Sequence, residues 1–401
     1  MKDGLAAAAR RPRSLHVSPR DRALACVFGS MDLVRPLQLA GVPCVVVAPR
    51  DSPVHHSRLV RGAIEWADPW THGEVLVERL LRFAETCAEP PVLFYEEDRE
   101  LLFVSRERER LARRFRFVVA DAELVEDVVD KARFAELATR LDLPVPRGRV
   151  LSPPAQDVPV LDLAFPLIAK PLTRRGFGRW GEATSGAKAR RIETRQQLVE
   201  LWPTLRAVGL DLLVQELVPG PETRIESYHT YVDEGGAVVG EFTGRKIRTH
   251  PREYGFSTAV EITQTPDVMA LGRELVDRLG LRGVAKLDFK RTDDDALVLL
   301  EVNARFNLWH HPGALAGVNL PALVYADLTG QPRPPVAPAR PGVRWIYHLR
   351  DALAAREHGI PLRRWLPWAV ATEAKSTFAW NDPMPFVRGV GWRQVRRRLP
   401  F

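Results

Sequence analysis

Three oxygen-bearing side chains stand in two short runs in the second half of the sequence, LDFK and LLEVNARF. Asp288 lies in the first run, and Glu301 and Asn303 lie two residues apart in the second. Both runs are typical of strands, in which side chains at positions i and i+2 point to the same face. Magnesium prefers oxygen ligands and usually takes one or two carboxylates with phosphate oxygens and water. The three side chains can therefore meet above neighbouring strands as a candidate metal site.

The alternative is that these acids lie on the solvated face of a hairpin. That interpretation suits the turn Asp293 to Asp295, but the run VLLEV surrounds Glu301 with apolar neighbours. An uncompensated charge is costly among such neighbours. We therefore expect a cation beside Glu301.

Lysine is rare in this chain, which has eight lysines among its 58 basic residues. Lysine is a compact point charge on a flexible stem, whereas arginine is a planar fork, so a phosphate contact can depend on which of them is present. Lys131 opens a predicted helix, and Lys170 ends the predicted strand FPLIAKP. An ordinary surface lysine is the alternative for Lys131 and fits Lys170 less well.

Arginines follow in two further runs. In GRKIR, side chains should alternate along a strand, so Lys246 and Arg248 should share one face and Arg245 the other. Arg305 follows Asn303 by two residues and should share the face of the predicted metal ligands. Arginine can stabilise a negatively charged intermediate, and solvated strand charge is the alternative for GRKIR.

The elements that position these residues change along the chain. Up to about residue 125, short apolar runs alternate with helical stretches, which predicts a parallel sheet of the Rossmann-like kind. The first turn lacks GxGxxG, so no dinucleotide is assigned to it. From Asp130 onwards, a helix, the strand FPLIAKP, glycines between residues 173 and 186 and several hairpin-like strands predict an α+β region. A proline-rich connector follows Gly330.

Composition excludes several classes of protein. The 401 residues predict two or three domains, and 45% apolar residues can fill their cores. No stretch of about 20 apolar residues could span a bilayer, and three scattered cysteines fit neither a disulfide framework nor a zinc site. The net charge of +8 lies largely in Arg10 to Arg22 and Arg393 to Arg398, which we interpret as solvated basic tails.

In this order, the motifs resemble those of the ATP-grasp superfamily, in particular its D-aspartate ligase-like and carbamoyl-phosphate synthetase-like carboxylate-amine ligases. The resemblance implies magnesium ligation by Asp288, Glu301 and Asn303 and phosphate contacts by Lys131 and Lys170. In QELVPGPE it implies that Glu216 and the Leu217 backbone meet adenine and that Glu222 meets the ribose. It further implies catalytic roles for Arg245, Arg248 and Arg305, and a flexible flap over the phosphates at residues 173–186.

The resemblance also implies an architecture. We expect an α/β and α+β protein with a Rossmann-like pre-ATP-grasp domain followed by a two-lobed ATP-grasp domain. We expect a basic flexible leader at residues 1–22 and the Rossmann-like domain at 23–125. The ATP-grasp domain should cover 126–330, with a small lobe at about 130–215 and a large lobe at about 216–330. A connector and a C-terminal extension should follow at 331–401.

The implied function is a cytoplasmic ligase that uses ATP and one or two Mg²⁺ ions, which Mn²⁺ could replace. It would activate a carboxylate as an acyl phosphate and couple it to an amine, releasing ADP and phosphate. The alternatives are a bicarbonate-using carboxylase or carbamoyl-phosphate synthetase-like enzyme, and a non-catalytic ATP-binding subunit. We expect small-molecule substrates and neither a membrane nor a nucleic-acid partner, while a macromolecular acceptor and a homodimer stay open.

Overall fold

A computed structural model describes residues 22–184 and 187–391. The predicted basic leader, except Arg22, lies outside these residues, as do the basic run Arg393 to Arg398 and the last two residues of the predicted flap. Within the described ranges, no helix combines the length and apolar character needed to cross a membrane.

The N-terminal part is built on a four-stranded parallel sheet in the order β3-β2-β1-β4. Strands β1, β2 and β4 are apolar runs that are buried along their whole length, as a parallel sheet covered on both faces requires. Strand β3 is half exposed at the edge, which explains why its sequence lacks a continuous apolar run. The strands are β1 (Ala25–Phe28), β2 (Cys44–Ala48), β3 (Val60–Glu65) and β4 (Val92–Tyr95), and the helices are α1 (Met31–Leu39), α2 (Pro69–Ala84), α3 (Asp98–Arg106), α4 (Arg108–Leu111) and α5 (Ala122–Val129).

A small lobe follows, with a four-stranded antiparallel sheet in the order β5-β8-β6-β7. Its strands are β5 (Gly148–Leu151), β6 (Leu167–Pro171), β7 (Arg190–Ile192) and β8 (Leu212–Glu216), and its helices are α6 (Lys131–Arg140), α7 (Phe177–Ala183) and α8 (Arg195–Val208). In the predicted flap, the described residues form a short 3₁₀ turn and then α7, so this segment is helical here. Trp180 on α7 is fully buried in the core of the lobe, which anchors the helix.

The large lobe holds a seven-stranded sheet in the order β13-β12-β9-β10-β11-β14-β15. Its strands are β9 (Ile225–Val232), β10 (Val238–His250), β11 (Phe256–Thr263), β12 (Gly283–Arg291), β13 (Leu297–Asn303), β14 (Arg344–Ile346) and β15 (Ala374–Lys375). Its helices are α9 (Pro266–Arg278), α10 (His310–Leu315), α11 (Leu320–Thr329), α12 (His348–Glu357) and α13 (Leu362–Ala371). The sheet therefore continues into residues that we assigned to the C-terminal extension.

The C-terminal segment also ties the large lobe to the N-terminal domain. Arg35 on α1 donates to the carbonyl oxygens of Ser376 and Thr377, each at 3.0 Å. Trp345 on β14 donates its indole N–H to Asp32 Oδ1 at 2.7 Å. These buried hydrogen bonds hold the two parts together behind the site, because an unpaired buried polar group would be costly.

Candidate active site

The three predicted metal ligands lie on two paired strands at the edge of the large sheet. Asp288 on β12 stands opposite Glu301 on β13 in the antiparallel register, and Lys286 stands opposite Asn303. Directly paired residues share a face of the sheet, and so do residues two apart. The expectation that the three side chains share one face is confirmed.

A lysine lies among these oxygens. Lys286 Nζ is 2.5 Å from Asp288 Oδ2 and 3.6 Å from Glu301 Oε1. The Ser227 hydroxyl donates to the other oxygen of Asp288, and Asn303 Nδ2 donates to Glu301 Oε1 at 3.2 Å. Two carboxylates that already hold one cation, with an amide beside them, have the donor chemistry that magnesium prefers, so the residues fit the implied metal.

Glu301 is more exposed than we expected from the apolar residues that flank it in the sequence. Its side chain is 47% exposed and faces the cleft between the lobes. Desolvation alone would raise the pKa of Glu301, but the positive charges of Lys286 and Lys188 hold it well below its usual range. Glu301 is therefore ionised, and cationic side chains rather than apolar ones set its surroundings.

The predicted phosphate lysines face this carboxylate from the small lobe. Lys131 is the first residue of α6, whose N-cap Asp130 accepts the N–H groups of Ala132 and Arg133, and Lys131 Nζ donates to Leu172 O at 3.1 Å. Burial lowers the pKa of Lys170 on β6 to about 8, helped by repulsion from Lys131 and opposed by attraction to Glu301. Both lysines are thus held in a desolvated place where an anion would stabilise their charge.

Two cavities meet at this cleft. The lobe cavity, of about 150 Å³, lies between the lobes, and its walls include Ile168, Glu216, Leu217, Glu222 and Leu300. The junction cavity, of about 430 Å³, lies between the N-terminal domain and both lobes, and its walls include Trp70, Glu97, Arg99, Arg174 and Phe256. The first cavity has the setting expected for a nucleotide, and the second opens beside the predicted metal and phosphate residues.

The predicted adenine contacts are partly engaged within the protein. Glu216 accepts Arg147 Nη1 at 3.2 Å and the Ala164 N–H at 2.9 Å, while the Leu217 N–H donates to Pro166 O at 3.0 Å. Both residues nevertheless line the lobe cavity. The Glu216 carboxylate and the Leu217 N–H therefore form hydrogen bonds within the small lobe. The end of β8 that carries them still lies beside the cavity.

A β-bulge changes the expected arrangement of GRKIR. Lys246 pairs with Val260, whereas Arg248 pairs with Ala259, so Ile247 is the extra residue in β10. One extra residue reverses the alternation of faces, which puts Arg248 on the face of Arg245 and leaves Lys246 alone on the other. Lys246 lines the lobe cavity, with its Nζ 3.8 Å from Glu222 Oε2.

The two predicted catalytic arginines of this strand accordingly lie behind the sheet. Arg248 forms a buried two-pronged ion pair with Asp351 on α12, at 2.8 and 2.7 Å, and stacks 4.1 Å from the centre of the Trp368 ring. Arg245 is 55% exposed and pairs with Glu261 at 2.8 Å. The structure gives neither arginine a contact with the cleft, because the bulge and the packing of α12 turn both away from it.

Arg305 is the third predicted catalytic arginine, and its guanidinium group is hydrogen-bonded within the protein. It donates to Asp98 Oδ1 at 2.5 Å, to Glu96 O at 2.6 Å and to Asn303 Oδ1 at 2.9 Å. Only 6% of its side chain is exposed. Arg305 therefore positions Asn303 and connects the large lobe to the N-terminal domain, rather than presenting a free charge to a substrate.

Further cationic residues of the cleft were not among the predicted site residues. Lys188, Lys246 and Lys290 line the lobe cavity, and Arg99 and Arg174 line the junction cavity. The scarcity of lysine was the signal that could have found three of them. Of the seven lysines in the described ranges, five line these cavities and Lys286 lies on the metal carboxylates.

Comparison with known proteins agrees with this geometry. Residues 210–349 match the family described as "ATP-grasp in the biosynthetic pathway with Ter operon". A D-alanine–D-alanine ligase of Pseudomonas fluorescens (strain Pf0-1) is 24% identical over 210 residues, which cover 50% of this chain and 62% of the ligase. The chain thus spans somewhat less than two thirds of that relative.

Two longer similarities cover most of the chain. A D-aspartate ligase of Enterococcus faecium (strain Aus0004) is 23% identical over 349 residues, which cover 81% of this chain and 78% of the ligase. The ADP complex of an N5-carboxyaminoimidazole ribonucleotide synthetase superposes with a TM-score of 0.61 at 14% identity and covers 80% of each chain. The expected fold class is confirmed: the chain has the ATP-grasp fold.

Proposed function

We propose that this protein is an ATP- and magnesium-dependent ligase that joins a carboxylate to an amine. One arrangement carries the proposal: Asp288, Glu301 and Asn303 face Lys131 and Lys170 across a cleft that opens into both cavities. Phosphoryl transfer needs acidic side chains that bind a metal ion and desolvated cations that neutralise the phosphates.

Each cavity then has one task. The lobe cavity would hold ATP, with its adenosine end near Glu222 and Leu217 and its phosphates near Lys170. Lys131 would meet the phosphates from the adjoining junction cavity. Magnesium held by Asp288, Glu301 and Asn303 would neutralise negative charge on the phosphates. The junction cavity would hold the carboxylate and then the amine.

The reaction would proceed in two steps. A carboxylate oxygen bonds to the γ-phosphorus as the bond from that phosphorus to the β-phosphate oxygen breaks, and ADP leaves. The amine nitrogen then bonds to the acyl carbon and loses a proton, the bond from that carbon to the phosphate oxygen breaks, and phosphate leaves. Lys131 and Lys170 would neutralise the charge that gathers at the phosphates, and closure of the lobes would exclude water.

The similarity to known ligases supports this class of reaction. The proposal includes small-molecule substrates, a cytoplasmic location and the replacement of Mg²⁺ by Mn²⁺. The test is a screen of amino acids and small carboxylates for substrate-dependent release of ADP, with mass spectrometry of the product. Lys170→Met should abolish the release while the protein stays folded. Release of AMP and pyrophosphate would show that the reaction proceeds through an adenylate and not through an acyl phosphate. ADP release with bicarbonate alone would favour the carboxylase alternative, and nucleotide binding without turnover would favour a non-catalytic subunit.

A further inference from the structure

The lobe cavity and the junction cavity share four residues along their walls: Lys170, Lys188, Ala189 and Glu301. If nucleotide and acceptor occupy separate cavities, the transferred phosphoryl group must pass where the cavities meet. Glu301 belongs to the candidate metal site, and Lys170 is a predicted phosphate lysine. Lys188 is the third ionisable residue at this boundary, and neither the sequence motifs nor the comparisons assign it a role.

Contacts from the large lobe hold Lys188 at this boundary. Its backbone N–H donates to Tyr254 O at 3.0 Å, which joins the segment before β7 to the loop before β11. Its Nζ lies 4.4 Å from the centre of the Phe256 ring. An ammonium group over an aromatic face is stabilised by a cation–π interaction, so the side chain is fixed without a carboxylate partner.

The charge of Lys188 lacks close compensation. Within residues 22–184 and 187–391, no carboxylate lies within ion-pair distance of its Nζ. Burial lowers its pKa to about 7, with added repulsion from Lys246 and attraction from Glu301. A half-buried, unpaired cation is costly unless an anion arrives, and this one faces the path of a phosphoryl group.

We infer that Lys188 is a further catalytic residue, contacting the terminal phosphate of ATP and the same phosphoryl group as it passes to the acceptor. This inference rests on the proposed function. Lys188 would share the charge of the phosphoryl oxygens with Lys170, from the side of the cleft formed by the flap and β7. The contact requires the triphosphate, because ADP lacks the group that reaches the boundary between the cavities.

The first experiment compares the binding of Mg-ADP and of Mg-AMP-PNP, a non-hydrolysable triphosphate, to the full chain by calorimetry. Lys188→Met should weaken AMP-PNP binding by about tenfold to a hundredfold, as expected for loss of a hydrogen bond to a charged group, and change ADP binding little. Lys188→Arg should recover part of the loss. Lys290→Met is the matched control, because Lys290 lines only the lobe cavity and should change both affinities by one common factor.

Folding and catalysis are measured separately. Lys188→Met removes a half-buried, unpaired charge, so the melting temperature without nucleotide should stay level or rise. With a carboxylate that stimulates the wild type, ADP release by the variant should fall at least as much as AMP-PNP affinity. Equal losses of ADP and AMP-PNP binding, or wild-type turnover, would overturn the role of Lys188. A wild type that binds both nucleotides but never releases ADP would instead refute the proposed ligase.

Discussion

Asp98 in the N-terminal domain and Arg305 in the large lobe are joined by a buried ion pair, with Asp98 Oδ1 2.5 Å from Arg305 Nε. The second oxygen of Asp98 lies 2.9 Å from Nε of Arg174, at the base of the predicted flap. Burial would raise the pKa of Asp98, but Arg305 and Arg174 bring it down to about 2. A single carboxylate therefore connects the N-terminal domain with both lobes.

Asp98→Asn should destabilise the protein strongly. Breaking a buried ion pair costs about 3 to 5 kcal/mol, because the remaining arginine loses its compensation. Glu97→Gln is the control: Glu97 is 52% exposed and also pairs with Arg174, so its loss should cost under about 1 kcal/mol. Thermal melting without nucleotide gives the comparison. Similar losses in the two variants would contradict a special role of Asp98.

Arg248 and Arg245 make a second matched pair on one strand. Among the described residues, Arg248→Met leaves the buried Asp351 with only Thr258 and Trp365 as side-chain hydrogen-bond donors, and should destabilise the protein by about 3 to 5 kcal/mol. Arg245→Met removes an exposed ion pair and should cost under about 1 kcal/mol. The Mg-ADP affinity of each folded variant should match the wild type in calorimetry. If Arg248→Met melts normally and loses turnover, Arg248 returns to the catalytic site.

Glu301→Gln tests the metal assignment. The side chain is 47% exposed to the cleft, so removing its charge should change the melting temperature little. Magnesium dependence should change strongly, because an amide is a weaker ligand than a carboxylate. The measurement is ADP release against magnesium concentration, with Asp293→Asn as the control, since Asp293 is 77% exposed on a turn outside the cleft. An unchanged magnesium dependence with a large melting loss would point to a structural role for Glu301.

Nucleotide binding should take up protons at mildly alkaline pH. Burial lowers the pKa of Lys170 to about 8 and that of Lys188 to about 7, so both are partly neutral in the free protein at about pH 8. Bound phosphate favours the charged form and raises both pKa values, so protons are taken up and affinity falls as the pH rises through this range. Below about pH 6 both lysines are already charged, and the uptake should vanish.

Calorimetry of Mg-AMP-PNP binding in buffers of different ionisation enthalpy measures this uptake. Lys170→Met should reduce it at about pH 8, because one of the two titrating groups is gone. Proton release in place of uptake, or uptake that persists unchanged at low pH, would show that other groups titrate.

Local sequence patterns were sufficient to predict the strands that carry the candidate metal ligands. Alternation within LLEVN put Glu301 and Asn303 on one face, and the pairing of β12 with β13 then set Asp288 opposite Glu301. The same reasoning failed for Arg248, because a bulge depends on the pairing of β10 with β11 and is invisible in a single strand. The partner of Arg305 was equally hidden, since Asp98 lies 207 residues earlier and belongs to another domain.

The distribution of lysine has a chemical consequence beyond catalysis. Each of the seven lysines in the described ranges is buried or half-buried, and arginine supplies the exposed positive charge there. Amine-reactive reagents usually label many scattered surface sites on a protein. In this part of the chain they would meet amines almost exclusively inside the cleft. Reagents that acylate these cleft amines would therefore inhibit this protein, and a bound nucleotide would protect it.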